Sequence, residues 1–115
     1  MYKVSYAEIL DGAATINRER EREAFDHVVE NLTRAETAGI ASSEMRAALT
    51  GLQDLWGFFI ADLAQQDNAL PQALRANLAS IGLWVIEQAD AILNARSTNV
   101  AALIDVNRTV RAGLQ

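Results

Sequence analysis

The sequence predicts an all-α domain, a small helical bundle of about four helices around a central antiparallel helical hairpin, with a long N-terminal helix. Half of the 115 residues are apolar but only 6% are aromatic, and alanine, the best helix former, is abundant. One proline and six glycines leave long segments without a helix breaker. The length suits a single domain, residues 1–115, whose core needs no disulfide.

The first predicted helix runs from about Val4 to Thr37, and Gly39 is a suitable C-terminal cap. Its early apolar residues share one face: Tyr6, Ile9, Ala13 and Ile16. Its later ones lie on a face rotated by about a quarter turn: Phe25, Val28, Leu32 and Ala35. We expect the later set to join the bundle and the earlier set to be free to meet a partner. The alternating charges from Arg18 to Glu23 are typical of a solvated helix face.

The second predicted helix starts after Ser42 and Ser43, which can cap it, and runs to about Gln66. Apolar residues recur along it at alternating steps of four and three: Met45, Leu49, Leu52, Trp56, Phe59 and Leu63. This spacing predicts the seam of a packed helix bundle.

The third predicted helix runs from Pro71, where proline suits the first position, to about Asn94. Its apolar stripe has one gap, at Gln88, and consists of Leu74, Leu78, Ile81, Val85 and Ile92. The polar turn between the second and third helices is short, so we expect an antiparallel hairpin about 35 Å long at ~1.5 Å per residue.

The fourth predicted helix covers about Val100 to Ala112, capped by the connector 97–99 and ended by Gly113. One side of it is apolar, with Val100, Leu103, Ile104 and Leu114. Asn107 interrupts that side. It either fixes the register or makes an interhelical hydrogen bond, and a contact to a client is a further alternative.

Residues on the seams are assigned to the core: Trp56, Phe59, Leu63, Leu78, Ile81 and Val85. Trp84 is one position off the Ile81–Val85 stripe, so both a core place and a partner surface stay open for it. We predict Tyr6, Ile9 and Trp84 as partner-binding residues.

The sequence carries no pattern of catalytic or metal-binding residues. Zero cysteines exclude disulfides and thiolate metal sites, and the glycines are scattered rather than gathered in a phosphate loop. His27, the only histidine, has Glu23 and Glu30 within one turn, but no second copy of a metal-binding motif accompanies it. We interpret His27 as a surface residue and predict neither enzymatic activity, nor a metal, nor a cofactor.

The net charge of −5 argues against direct nucleic-acid binding, which needs a cluster of cations against phosphates. Only the C-terminal end is basic, through Arg96, Arg108 and Arg111. The N-terminus lacks the pattern of a signal peptide, and the longest apolar stretches fall far short of the ~20 residues that span a bilayer. We therefore expect a cytoplasmic protein without a membrane segment.

Three stretches at fixed order and spacing resemble the FlaF family over nearly the whole chain. The first is 17–25, leading into Leu32 and Ala35 after an aromatic residue at Tyr6. The second joins Ala47, Leu49, 55–56 and Phe59 to the segment 67–78, which contains Leu74 and Leu78. The third is 103–108 with 112–114. The central Trp56, the Asn68-x-Leu70-Pro71 turn and the Ile104-x-x-Asn107-Arg108 ending are the most specific pieces.

The resemblance implies a regulator of flagellar biosynthesis that binds flagellin as a chaperone and promotes its production and export, in concert with the regulator FlbT. A chaperone would offer apolar grooves rather than chemistry, which agrees with the composition. Two alternatives stay open. The protein could be a post-transcriptional regulator acting on flagellin mRNA, directly or through FlbT, or a structural bundle whose apolar stripes are consumed by self-association.

Overall fold

The computed structural model describes the backbone of residues 6–114 and the side chains of residues 18–114. It contains four helices: α1 Tyr6–Ala38, α2 Ser43–Leu63, α3 Gln72–Leu93 and α4 Val100–Gly113. No strand occurs within residues 6–114. The predicted all-α class and the long first helix are confirmed.

The helices form a closed ring in which each one packs against two others. α1 contacts α2 and α4, and α3 contacts the same two helices on the other side. Consecutive helices run in opposite directions, so α2 and α3 form the predicted antiparallel hairpin and share the most extensive contact. Gln53 on α2 donates to the carbonyl of Ile86 on α3 at 3.2 Å, which fixes the register of this hairpin.

The turn between α1 and α2 follows its predicted capping residues. Gly39 adopts φ +110°, a left-handed conformation that suits glycine, and its N–H donates to the carbonyl of Ala35 at 3.1 Å. Ser42 then accepts the N–H of Met45 on its hydroxyl at 3.0 Å. Both termini are therefore satisfied by residues that are visible in the sequence.

The second helix ends at Leu63, three residues earlier than predicted, because side chains from the following turn take its last carbonyls. Asn68 donates to the carbonyl of Asp62 at 3.2 Å. Arg75 donates to the carbonyls of Leu63 at 3.3 Å and Gln65 at 3.1 Å. The positive charge of Arg75 also suits the negative C-terminal end of the α2 dipole. Pro71 is the N-cap of α3 rather than its first residue.

The turn between α3 and α4 closes with a left-handed residue and a side-chain cap. Ala95 adopts φ +59°, and the N–H of Arg96 reaches back to the carbonyl of Ala91 at 2.7 Å. Asn99 accepts the N–H of Ala102 on its side-chain oxygen at 3.2 Å. The fourth helix begins at Val100, as predicted, and continues one residue beyond Ala112 to Gly113.

The core contains the predicted stripes of α1, α2 and α4. Every seam residue of α2 is buried, as are Phe25, Val28, Leu32 and Ala35 of α1 and Val100, Leu103, Ile104 and Leu114 at the C-terminal end. Three edge-to-face contacts join the aromatic residues, with ring centroids 5.4 Å apart for Phe25–Trp56, 5.6 Å for Phe25–Phe59 and 5.5 Å for Trp56–Phe59. The two contacts of Phe25 tie α1 to α2, and the Trp56–Phe59 contact lies within α2.

The predicted stripe of α3 was wrong at two positions. Leu74 is 42% exposed, and Ile81 is only partly buried instead of lying in the core. The residues that α3 buries are Leu78, Gly82, Val85, Ala89 and Ile92. The helix is turned toward its small residues because these let its backbone approach α2, which a stripe of large side chains would prevent.

The alternating charges of α1 are not all solvated, which corrects the prediction of an exposed face. Glu19, Arg20 and Glu23 are exposed, but Arg18 and Glu21 are largely covered and form an ion pair one turn apart. Glu21 precedes Phe25 by one helical turn, so it lies on the side of α1 that faces α2.

Candidate partner-binding groove

The position of α4 is set by a buried hydrogen bond to α2. The indole N–H of Trp56 donates to the side-chain oxygen of Asn107 at 2.8 Å, and Asn107 donates its amide to the carbonyl of Leu103 at 2.7 Å. Asn107 therefore makes an interhelical hydrogen bond, one of its three predicted roles. This bond fixes the position of α4 relative to the α2–α3 hairpin.

The position of α3 is set by a close approach to the same tryptophan. A Cβ added at Gly82 would lie 2.6 Å from Cε3 of Trp56 and 2.8 Å from Cδ1 of Ile60. Only glycine permits this distance between α3 and α2. Trp56 therefore fixes both helices that border the groove.

An apolar groove lies between α3 and α4. Its walls are Ile81 and Trp84 from α3 and Val106 and Val110 from α4. Its volume is about 540 Å³. Val110 is buried, whereas Trp84 is 37% exposed. We call these four residues and the polar residues described next the α3–α4 groove.

The polar residues of the α3–α4 groove are Ser80, Asp105 and Thr109. They stand at the border of a lining that is almost wholly apolar, and no Lys, Arg or His lines this groove among the described residues. Thr109 donates its hydroxyl to the carbonyl of Asp105 at 2.9 Å. The groove can accept apolar side chains and hydrogen-bond donors, and it has no arrangement suited to bond-making chemistry.

The most exposed of the large apolar residues described is Phe58, on α2. Phe58 is 78% exposed and lines a shallow depression with Leu55, Glu21 and Asp62. Burial raises the pKa of the Glu21 carboxyl, and the Asp62 carboxyl beside it raises it further, while Arg18 opposes both effects. An apolar client would have to desolvate two carboxylates here, Glu21 and Asp62, whereas the α3–α4 groove has one, Asp105. The α3–α4 groove is therefore the less costly surface for such a client to cover.

The predicted site residues fall in different places. Trp84 lines the α3–α4 groove, at its partly exposed wall. Tyr6 and Ile9 lie outside the residues whose side chains the structure describes. Ile81, predicted as core, is a wall of the groove instead.

Sequence reasoning did not find the α4 wall of the groove. Val106 and Val110 stand four residues apart, so they share a face on a helix, and this spacing was the available signal. The predicted stripe of α4 followed Leu103 and Ile104 and left this second apolar edge unassigned. Whether Val106 and Val110 border α3 depends on how α3 and α4 pack, which the sequence pattern of α4 does not determine.

The remaining candidates from the sequence have surface positions. His27 is exposed on α1, and residues 18–114 contain no cluster of acidic and histidine side chains able to hold a metal ion. Two of the three C-terminal arginines are paired within the chain, Arg96 with Asp90 at 2.9 Å and Arg111 with Asp26 at 2.7 Å. Among the described helices, none is both long and apolar enough to cross a membrane.

Comparison with known families identifies one match. The family model described as flagellar protein FlaF matches residues 2–114, essentially the whole chain. Comparison with curated proteins and comparison with solved structures returned no match. The resemblance seen in the residues is thus confirmed by the family model over nearly every position. The chain belongs to the FlaF family of flagellar proteins.

Proposed function

We propose that this flagellar protein binds flagellin as a cytoplasmic chaperone, promotes its production and export, and has no enzymatic activity. The observation that carries the proposal is the α3–α4 groove, where Trp84 stands 37% exposed beside Ile81, Val106 and Val110. A tryptophan is a frequent anchor of protein–protein contacts because it offers a large rigid area together with an N–H donor.

The shape of the groove suits a helical client. Two packed helices form its walls, and an amphipathic helix can lay its apolar face between them. Unassembled flagellin would present such helices, whose apolar faces aggregate if they stay in water. Binding them in a groove shields the client without any covalent step.

The charge of the chain is consistent with a protein client rather than RNA. Arg96 and Arg111 are already neutralised by Asp90 and Asp26, so the basic C-terminal end offers less charge to phosphates than its sequence suggests. The excess of acidic residues keeps a complex with an apolar client soluble. FlbT is the second partner that we propose, because family members act in concert with it.

The test is calorimetric titration of the full chain with purified flagellin from the same host. We expect a stoichiometric complex of micromolar affinity or tighter. Trp84→Ala should weaken it by more than about 30-fold, as expected for an anchor worth ~2 kcal/mol. Leu83→Ala is the matched control, because Leu83 is the neighbouring residue on α3 and lies outside the groove with 59% exposure.

Each variant needs a thermal melt, since loss of binding is informative only when the fold survives. Equal affinity of the Trp84→Ala variant and the native chain would place the client elsewhere. If flagellin does not bind at all, the protein acts through FlbT or on flagellin mRNA instead. A filter-binding titration against salt then separates these two, because RNA contact gives a steep dependence on salt concentration.

A further inference from the structure

We infer that the α3–α4 groove takes a single turn of an amphipathic helix that carries two large apolar side chains and one lysine or arginine, with the cation against Asp105. This inference rests on the flagellin-binding function proposed above. It adds what the bound segment must look like, so that the segment can be recognised within the client by its chemistry.

The length of the groove limits the occupant to about one helical turn. Its α3 wall is Ile81 and Trp84, three residues apart, and its α4 wall is Val106 and Val110, four residues apart. Residues at these spacings on a helix have Cβ atoms roughly 5–6 Å apart. A client helix can therefore insert side chains at i and i+3 or i+4, and its further turns lie outside.

The volume of about 540 Å³ agrees with this limit. Pockets that enclose small ligands measure about 300–1,000 Å³, so this groove lies in the lower half of that range. It has room for bulky side chains such as leucine or phenylalanine. Two apolar anchors on one turn match both the volume and the spacing of the walls.

The polar edge of the groove defines the charge of the occupant. Asp105 is exposed, and its carboxylate forms no ion pair with another residue between 18 and 114. The hydroxyl of Thr109 donates its hydrogen bond to the carbonyl of Asp105, so its oxygen is left to accept one. The hydroxyl oxygens of Ser80 and Thr109 can accept a hydrogen bond, and the negative charge of Asp105 favours a cationic donor.

Competing occupants are disfavoured by the same arrangement. A helix with an acidic residue at this position would meet Asp105 with a like charge. A wholly apolar turn would leave the carboxylate partly desolvated and without a partner. The net charge of −5 acts in the same direction, because it attracts a cationic segment and repels an acidic one.

The experiment is calorimetric titration of host flagellin into the 115-residue chain and three charge variants, at low and at physiological salt. Asp105→Lys should weaken binding about tenfold or more, because it replaces an attraction by a repulsion. Asp105→Asn should weaken it by about two- to fivefold and lower the salt dependence. Asp54→Lys makes the same change of charge on α2, away from the groove, and should keep the native affinity within about twofold.

The outcomes separate this inference from the function on which it rests. If Trp84→Ala weakens binding and Asp105→Lys does not, the client uses the groove without a cation, and only the inference fails. If neither substitution has an effect on a native complex, the client binds elsewhere and the inference also fails. If no native complex forms, both fail together. Sedimentation of the free chain completes the test, because a dimer that Trp84→Ala dissociates would make a second copy the occupant and overturn the inference.

Discussion

Trp56 on α2 and Asn107 on α4 share a hydrogen bond of 2.8 Å, and both side chains are fully buried. The indole N–H is the donor and the amide oxygen is the acceptor. The amide nitrogen of Asn107 is also satisfied, by the carbonyl of Leu103. This bond links the hairpin to the last helix, and Asn107 directly follows Val106, a wall of the α3–α4 groove.

Replacing Asn107 by leucine should destabilise the protein by about 1–3 kcal/mol, because the buried N–H of Trp56 loses its acceptor. Urea denaturation measures the change. The Trp56→Phe variant removes the donor, so the double variant should cost less than the sum of the two single variants. Additive costs would mean that the bond contributes nothing beyond the packing of each side chain.

Gly82→Ala should destabilise the protein by about 1–2 kcal/mol. A Cβ there would lie 2.6 Å from the Trp56 ring, and overpacking of this kind costs roughly 1–3 kcal/mol, which the better helix propensity of alanine offsets only in part. Gly57→Ala is the matched control, since a Cβ at this exposed position of α2 meets no heavy atom within 4 Å. It should stabilise the protein by up to about 1 kcal/mol. Equal stability of the two variants would contradict the close approach of α3 to α2.

Glu21→Gln should raise the free energy of unfolding at pH 7. Burial holds the pKa of Glu21 above its ordinary value of 4.5, so the folded state binds the proton more tightly than the unfolded state does. The stability that comes from this proton is present below 4.5 and is lost as the pH rises through the higher folded value. The variant should therefore be less sensitive to pH across this window.

Chemical denaturation at several pH values between 4 and 8, on the order of half a unit apart, tests this expectation. Glu19→Gln removes a charge from an exposed neighbour on the same helix and serves as the control. If the Glu21→Gln variant is less stable than the native chain at pH 7, the ion pair with Arg18 outweighs the cost of burying the carboxylate.

Asp26→Asn should show the opposite pH dependence. The hydrogen bond from Arg111 lowers the pKa of Asp26 below its ordinary value of 3.8. The stability from this pair is therefore present above pH 3.8 and is lost as the pH falls through the lower folded value. Asp26→Asn should reduce stability at pH 7 and have no effect in strong acid, and added salt should shrink the difference, because both groups are solvated.

The Arg111→Gln background is the control for this pair. In it, Asp26→Asn should lose most of its effect, because the donor to the carboxylate is missing. A loss of stability as large as in the native background would show that Asp26 acts through another contact. The measurement also tests how firmly the C-terminal end of α4 is held to α1.

The helices could be predicted from the sequence because their signals are local. Gly39, Ser42 and Asn99 cap the helices they border through contacts within four residues. The seam of α2 is buried at every predicted position. Six large apolar residues on one face of a helix favour burial because it removes their surface from water. The family, too, was recognised from the order and spacing of residues alone.

The rotation of α3 could not be predicted from the same kind of signal. Hydrophobicity alone predicts that Leu74 and Ile81 are buried in preference to Gly82 and Ala89, yet Gly82 and Ala89 are the buried residues. Burial of glycine reflects how closely two helices approach, and the partner atom is on Trp56 of another helix. The α3–α4 groove was missed for the same reason, apart from Trp84.

The sequence by itself determined four helices, their caps, most of the core and membership of the FlaF family, because these depend on residues that are near one another in the chain or fixed in order. Only the tertiary structure decided the partner of Asn107, the turn of α3 toward α2, and the meeting of Trp84 with Val106 across the groove. These depend on distances between residues far apart in sequence, which close packing sets and local periodicity does not encode.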